Sequence, residues 1–357
     1  MLADARRPLV CLHYGIGDVI MQLPALEALK ALRPDAQVTL LGALPALDLL
    51  QDDPHWHALE SIQQWGLRHW GDKGDPHIRS AIATWLDRKN FDLILDVSHA
   101  VHAVRDTIWR NGRKILDTGT DMPLDGLNGV DAMKKAVRAA WGLPVARSAY
   151  PRLALDNDRM ARAATALRTP SADRRIMVGI SALASSFLKR WPIAHMAAVA
   201  DALVERFNCQ VVVFAGPQQA IAYEMVALMK SPPKPIMVST LHLLDTAALL
   251  ARCALLICND TGIMHMSAAV GTPVVAVFGP TSAAIYLPPG AQHRGISSPS
   301  PCPYRKTQAF GPSQCLVLNR CLIDRNGCID AVPLSTVLNN ATQTLTERLE
   351  GKRHAAI

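Results

Sequence analysis

Three separated clusters hold residue types that could do chemistry together. Asp260-Thr261-Gly262-Ile263-Met264-His265 places a carboxylate, a hydroxyl, a bare glycine and an imidazole within six residues. Ser185-Ser186-Phe187-Leu188-Lys189-Arg190 places two hydroxyls ahead of two cations. Gly15-Ile16-Gly17-Asp18 puts a carboxylate on a glycine turn. A group transfer that expels a phosphate needs three things. These are a base for the incoming hydroxyl, a positive environment for the departing charge, and backbone that lets the ligand come close. Asp18 could serve as the base, Lys189 as the cation, and the hydroxyls of Ser185 and Ser186 as donors to phosphate oxygens. Gly262, at a helix start, would let a phosphate approach unpaired N–H groups at the positive end of the helix dipole.

Each residue also has a plain structural use. Asp260 or Thr261 can cap the helix that follows, and locally the cap and the site are equally good readings. Asp260 would repel a phosphate, so it suits a cap, an orienting group or a partner for sugar hydroxyls. Asp18 is a good helix cap by type. Lys189 with Arg190 would pass for a solvated pair on any surface. His265, four residues after Thr261, leans towards the helix start. It could meet donor hydroxyls or sit as a hydrogen-bonded structural histidine.

The elements that must position these residues alternate between strand and helix. Ala254–Cys258 and Val274–Phe278 are short apolar runs bounded by turn signals, which read as buried strands on either side of one helix. PLVCLH, VTLLG, FDLILDV and KIL read as strands in the first half, with helices after PLVCLH and near 100–111 and 128–141. Pro24 either kinks the first helix or starts its main part. Residues 45–90 read as uncertain helices and a loop rich in Trp and His. GLPVARSAYPRL reads as a linker, and a helix is expected at about 156–168. RIMVGI, QVVVFAG and PIMVS then restart the strand pattern, each followed by a helix. Repeated βα units imply parallel sheets covered on both faces. Two blocks around a linker at 143–175 imply two doubly wound Rossmann-like domains. The expected division is 1–165, 170–332, and a final helix and tail at 333–357.

Composition excludes several classes. The chain has 357 residues, 50% hydrophobic and 19% charged, an ordinary globular balance. The net charge of +7 is uneven: residues 1–170 carry 21 Lys+Arg against 20 Asp+Glu, and residues 171–357 carry 16 against 10. A basic second half suits an anionic ligand, but no dense cationic run argues for nucleic acid. No apolar stretch reaches membrane-spanning length and the N-terminus lacks a long apolar signal core. A cytoplasmic location is expected, with room for peripheral contact at the cytoplasmic face of the inner membrane. G-x-G-x-x-G and Walker A are both absent, which removes the usual dinucleotide and P-loop readings.

The eight cysteines fit a reducing compartment. Cys11, Cys209, Cys253 and Cys258 lie in or beside apolar strands and read as core residues. Cys302, Cys315, Cys321 and Cys328 are dense, with 12, 5 and 6 residues between them. That spacing is not the paired C-x2–4-C of a usual zinc site. It admits a metal or a disulfide, and is read as reduced thiols with no metal assigned.

The segment DTGIMHMSAAVGTPVVAVFGPT, Asp260–Thr281, resembles the C-terminal signature of glycosyltransferase family 9, the lipopolysaccharide heptosyltransferase family. Gly15–Leu41 is similar to the family's N-terminal G-x-G-D segment, and Ser185–Leu203 to its K-x-W-P segment. The resemblance implies a GT-B fold with two Rossmann-like domains facing a central cleft and the C-terminal helix packing back across the boundary. It implies inverting, metal-independent sugar transfer, with no cofactor, from an ADP-linked heptose to a lipopolysaccharide-type glycolipid or oligosaccharide acceptor. Asp18 falls at the family's catalytic aspartate, which tips that residue from cap to base, and Lys189 falls in the diphosphate segment. Ser185, Ser186, Asp260, Thr261, Gly262 and His265 are then the donor side. The acceptor side is Gly15, Gly17, His99, His102 and Arg105. Here the chain departs from the family: DVSHAVHA stands where members often read D-x-Q-G-x-x-[KR]-S. Gln218 and Gln219 stand where members often carry an acidic residue near the donor ribose. Two other classes compete: a GT-B epimerase or hydrolase, and a non-catalytic nucleotide-sugar-binding protein.

Overall fold

The computed structural model describes residues 2–13, 15–67, 75–98, 103–110, 114–119, 124, 126–147, 150–167, 175–217, 219–239, 242–307, 311–323 and 327–354, with backbone only at 108–110 and 352–354. The chain divides into two compact units, Met1–Arg152 and Leu153–Ile357.

The first unit runs β1 (Pro8–Cys11), α1 (Ile16–Leu32), β2 (Thr39–Gly42), β3 (Ala58–Ser61), α2 (Pro76–Lys89), β4 (Leu93–Asp96), α3 (Ala103–Arg110), β5 (Ile115–Asp117) and α4 (Gly129–Trp141). Its sheet has the order β3-β2-β1-β4-β5, and every pair in it is parallel. The central strands β1, β2 and β4 are buried at every position, as a parallel sheet covered on both faces requires. Helix α1 is continuous, with Pro24 buried inside it, so the proline neither starts nor ends the helix.

The second unit runs α5 (Asn157–Ala166), β6 (Met177–Ser181), α6 (Ile193–Phe207), β7 (Gln210–Phe214), α7 (Gln219–Leu228), β8 (Ile236–Val238), α8 (Leu243–Arg252), β9 (Leu255–Asn259), α9 (Gly262–Ala269), β10 (Val274–Phe278), α10 (Ala283–Tyr286), β11 (Arg294–Ser297), α11 (Gln314–Val317) and α12 (Leu334–His354). The sheet order is β11-β10-β9-β6-β7-β8, again parallel throughout. Read from β8, the strands of this unit follow the doubly wound order 3-2-1-4-5-6. Helix α5 belongs here: Arg159 Nη1 donates to Asp245 Oδ1 of α8 at 2.6 Å. Val337, Ala341 and Leu345 lie four residues apart on one face of α12, all fully buried in the core that β6, β7, β9 and β10 share.

In both units the chain reverses its direction of winding between the first strand and the fourth. That is where the carboxyl ends of two neighbouring strands diverge and leave a crevice. In the first unit the crevice lies between β1 and β4, and in the second between β6 and β9. The chemical clusters of the sequence sit on the loops leaving β1, β6 and β9. Among the described residues no helix is long and apolar enough to cross a membrane.

Candidate active site

In the second unit the loop leaving β6 and the loop leaving β9 are tied by one buried amide. Asn259, the last residue of β9, accepts from the Trp191 backbone N–H through Oδ1 at 3.1 Å. Its Nδ2 donates to the carbonyls of Ala182 at 2.9 Å and Leu183 at 3.1 Å. Trp191 is fully buried, and its indole N–H donates to the Val332 carbonyl at 3.0 Å. The polar residues between two buried strands thus have a definite structural use. A side chain at the strand end fixes the 182–191 segment, which has little regular structure of its own. Asn259→Ala removes three hydrogen bonds and leaves buried backbone groups unpaired. The expected loss is about 3 kcal/mol of unfolding free energy at roughly 1 kcal/mol per bond, measured by denaturant titration. A loss below about 1 kcal/mol would mean that the loop holds itself.

That tie positions Lys189 at the end of a short 3-10 turn, Phe187–Lys189. Its ammonium lies 2.8 Å from Asp260 Oδ2, with side-chain exposures of 14% and 8%. The ion pair spans the crevice between the exits of β6 and β9. Asp260 therefore holds Lys189 and does not cap α9. The N-cap of α9 is Thr261, without a side-chain cap hydrogen bond, and its hydroxyl donates back to the Asn259 carbonyl at 3.4 Å. The expected cap is corrected accordingly: neither Asp260 nor Thr261 covers the first N–H groups of α9, which begins at Gly262. An uncapped helix start beside a cation suits an anion.

Ser186 Oγ accepts from the Leu188 backbone N–H at 3.3 Å and so caps the turn that carries Lys189. Ser185 is exposed. His265 is buried one turn into α9. His293, just ahead of β11, is also buried; desolvation, with His265 as a secondary influence, lowers its pKa to about 4. It is therefore a neutral neighbour at physiological pH.

In the first unit α1 starts at Ile16 with Gly15 as its N-cap. Asp18 is the third residue of the helix and folds back over Gly15, where an added Cβ would collide with Asp18 Oδ2. Glycine at 15 is a steric requirement of that carboxylate position. Gly17 lies within the first turn of α1. Asp18 Oδ2 lies 3.0 Å from His13 Nδ1, at side-chain exposures of 35% and 20%. The same ring nitrogen lies 3.1 Å from the Gly15 N–H. One nitrogen cannot accept from Gly15 and donate to Asp18 at once. Nδ1 therefore donates to the carboxylate when it carries hydrogen, and accepts from the Gly15 N–H when it does not. Sequence reasoning missed His13, because a single histidine after an apolar run carries no pattern. It also missed Gln22, a fully buried side chain on α1. Gln22 donates to the Val97 carbonyl at 2.8 Å and accepts from the His13 N–H at 3.3 Å, which links the exits of β1 and β4.

On the expected acceptor side, Arg105 is ion-paired with Asp117 at the end of β5, and Asp117 also accepts from the Gly119 N–H at 2.8 Å. Much of the Arg105 charge is therefore answered within the fold. His99, His102 and Gln218 lie outside the described residues, and Gln219 opens α7. Among the described residues no group of three or more His, Cys, Asp or Glu is gathered at metal-binding spacing.

Comparison with known proteins bears on the fold and the family. "Lipopolysaccharide heptosyltransferase 3" of Escherichia coli is 24% identical over 308 residues, 76% of this chain and 83% of that protein. The solved glycosyl transferase family 9 protein of Veillonella parvula superposes with a TM-score of 0.73 at 20% identity, covering 96% of this chain and 98% of its own. The solved E. coli ADP-heptose lps heptosyltransferase II gives 0.70 at 19% identity, covering 96% and 99%. These likenesses establish the GT-B fold. The model of "Glycosyltransferase family 9 (heptosyltransferase)" matches residues 116–310, more than half of the chain. The chain that carries Asp18 on one doubly wound unit and the Lys189–Asp260 pair on another belongs to glycosyltransferase family 9, and is a glycosyltransferase.

Proposed function

We propose that the protein moves a heptose from an ADP-linked donor to a lipopolysaccharide-type acceptor with inversion at the anomeric carbon. The Lys189–Asp260 pair beside the uncapped start of α9 carries this reading, because it sits where a doubly wound sheet receives a nucleotide. The second unit binds the donor. Lys189 and the Thr261–Gly262 helix start face the diphosphate, while Ser185, Ser186 and His265 supply further polar contacts. The first unit supplies Asp18 and the acceptor side, with Gly15 and Gly17 leaving room at the turn and His99, His102 and Arg105 nearby in sequence.

The acceptor hydroxyl attacks the anomeric carbon opposite the diphosphate, and its proton passes to Asp18. The bond from that carbon to the diphosphate oxygen breaks, and its electron pair leaves on ADP. His13, 3.0 Å from Asp18, orients the carboxylate and shares the proton afterwards. Lys189 takes up the developing charge, so the transfer itself needs no metal. The relatives, two of them lipopolysaccharide heptosyltransferases and one of these named for ADP-heptose, support donor and acceptor. The enzyme works in the cytoplasm, with peripheral contact at the inner membrane where a lipid-linked acceptor would be met.

Calorimetric titration with ADP, UDP, GDP and CMP, each with and without Mg²⁺, tests the donor. Saturable binding of ADP alone, unchanged by Mg²⁺, is the expected result. A preference for UDP or GDP would overturn the heptose reading and keep the transferase. Binding of none would overturn the nucleotide site.

A further inference from the structure

The loop from residue 298 to 328 joins β11 to the 3-10 turn Cys328–Ala331, and its described residues form one short helix, α11. Such a long connection needs something besides secondary structure to hold it. Its four cysteines, widely spaced in sequence, come together in space. Cys302, Cys315, Cys321 and Cys328 all line a single small cavity of about 10 Å³, the space of one water-sized sphere. All eight cysteines of the chain are reduced thiols. Arg305 lines the same cavity as the four cysteines. Ser313 lines the same cavity, and its hydroxyl is buried without a hydrogen-bond partner.

We propose that these four cysteines are the ligands of one thiophilic divalent metal ion, zinc or ferrous iron, bound as a structural tetrathiolate. The ligand set is what such ions select, and four sulfurs fill a tetrahedron without an open position. Four thiolates on a divalent ion leave two negative charges. The Arg305 guanidinium and the Ser313 hydroxyl are placed to answer them, as outer-shell donors do at such sites. Among the described residues no three of these ligand types already stand at metal-binding spacing, so binding includes drawing the sulfurs inwards with loss of the thiol protons. This departs from the reading of the spacing alone, which assigns no metal.

The site adjoins the donor-side loops. Leu188, next to Lys189, and Pro280, in the turn after β10, line the same cavity. An ion here would pin the long loop against the turn that carries Lys189. The transfer step itself does not pass through it.

The test is metal analysis of the full chain purified without oxygen or chelator, followed by Co²⁺ exchange. The expected result is one equivalent of zinc or iron per chain, the analysis itself telling which. The Co²⁺ form should show intense sulfur-to-metal charge transfer and the visible bands of tetrahedral cobalt. Metal content should fall on the order of tenfold or more in Cys321→Ser and Cys328→Ser, and stay unchanged in Cys253→Ala, whose thiol is deep in the core. Should the serine variants fail to fold, alkylation of the wild type decides the matter. With metal, the four loop thiols resist the reagent, and after chelation they react. Metal-free protein that takes up neither Zn²⁺ nor Fe²⁺ overturns the proposal, as does a disulfide among the four found by mass spectrometry.

Discussion

Asp18→Asn is expected to lower kcat by about 10²–10⁴-fold, the usual worth of a positioned general base, with the fold intact. The substitution keeps the shape that Gly15 accommodates and removes the negative charge. An amide cannot take the proton of the acceptor hydroxyl. Asp18 is also the third residue of α1, where a carboxylate favours the helix start by about 0.3–1 kcal/mol. That structural loss shows in thermal unfolding and is too small to mimic the kinetic one, which corresponds to about 3–5 kcal/mol of barrier. Single-turnover rates with saturating donor separate the two. KM for the donor should hardly change, because the donor is assigned to the other unit. Turnover like that of the wild type in Asp18→Asn would remove the base assignment. His13→Ala should lose less, since His13 acts through Asp18, and Asp18→Asn should make the His13 substitution nearly silent.

The site was legible in the sequence where local chemistry and local structure coincide. Asp260-Thr261-Gly262 between two apolar runs announces a strand, a turn and a helix start, and the structure has β9, the turn and α9 there. The ion pair was not legible: Lys189 and Asp260 are 71 residues apart (260 − 189), and only the adjacency of β6 and β9 joins them. The same adjacency gives Asn259 its three partners. Each of them is a backbone group, which leaves no trace in residue types. The fold was legible where strands are buried on both faces, because such strands are continuous apolar runs. It failed at one edge of each sheet, β3 and β11, while the opposite edges, β5 and β8, were read as strands from KIL and PIMVS. β3 reads Ala-Leu-Glu-Ser and β11 reads Arg-Gly-Ile-Ser, and most of their positions are only partly buried. An edge strand shares one flank with solvent and needs no apolar run. His13 and Gln22 escaped for a related reason: their work is to join two strand exits, and a single polar residue beside an apolar run has no period to reveal it.

Lys189→Met is expected to lower turnover by about 10²–10³-fold, the scale seen when one preorganised stabiliser of developing charge is removed. It does so in two ways. The cation facing the diphosphate disappears, and Asp260 stays behind, 8% exposed, with its counter-ion gone. A buried charge stripped of its partner typically costs about 3–5 kcal/mol of stability, and here it also sets a negative charge where an anion must bind. ADP affinity should therefore fall with kcat in the single variant. Adding Asp260→Asn separates the effects. The double variant Lys189→Met/Asp260→Asn removes the stranded carboxylate, so stability and ADP affinity should recover substantially. Turnover should stay low, because nothing in it can meet the charge that grows on the leaving oxygen. Calorimetric ADP titration, thermal unfolding and single-turnover rates on wild type, both single variants and the double variant give the complete cycle. Recovery of turnover together with affinity would show that Lys189 serves only to neutralise Asp260, and the leaving-group role would then pass to another cation. Recovery of affinity alone is what a lysine held by its aspartate for the moment of bond breaking requires.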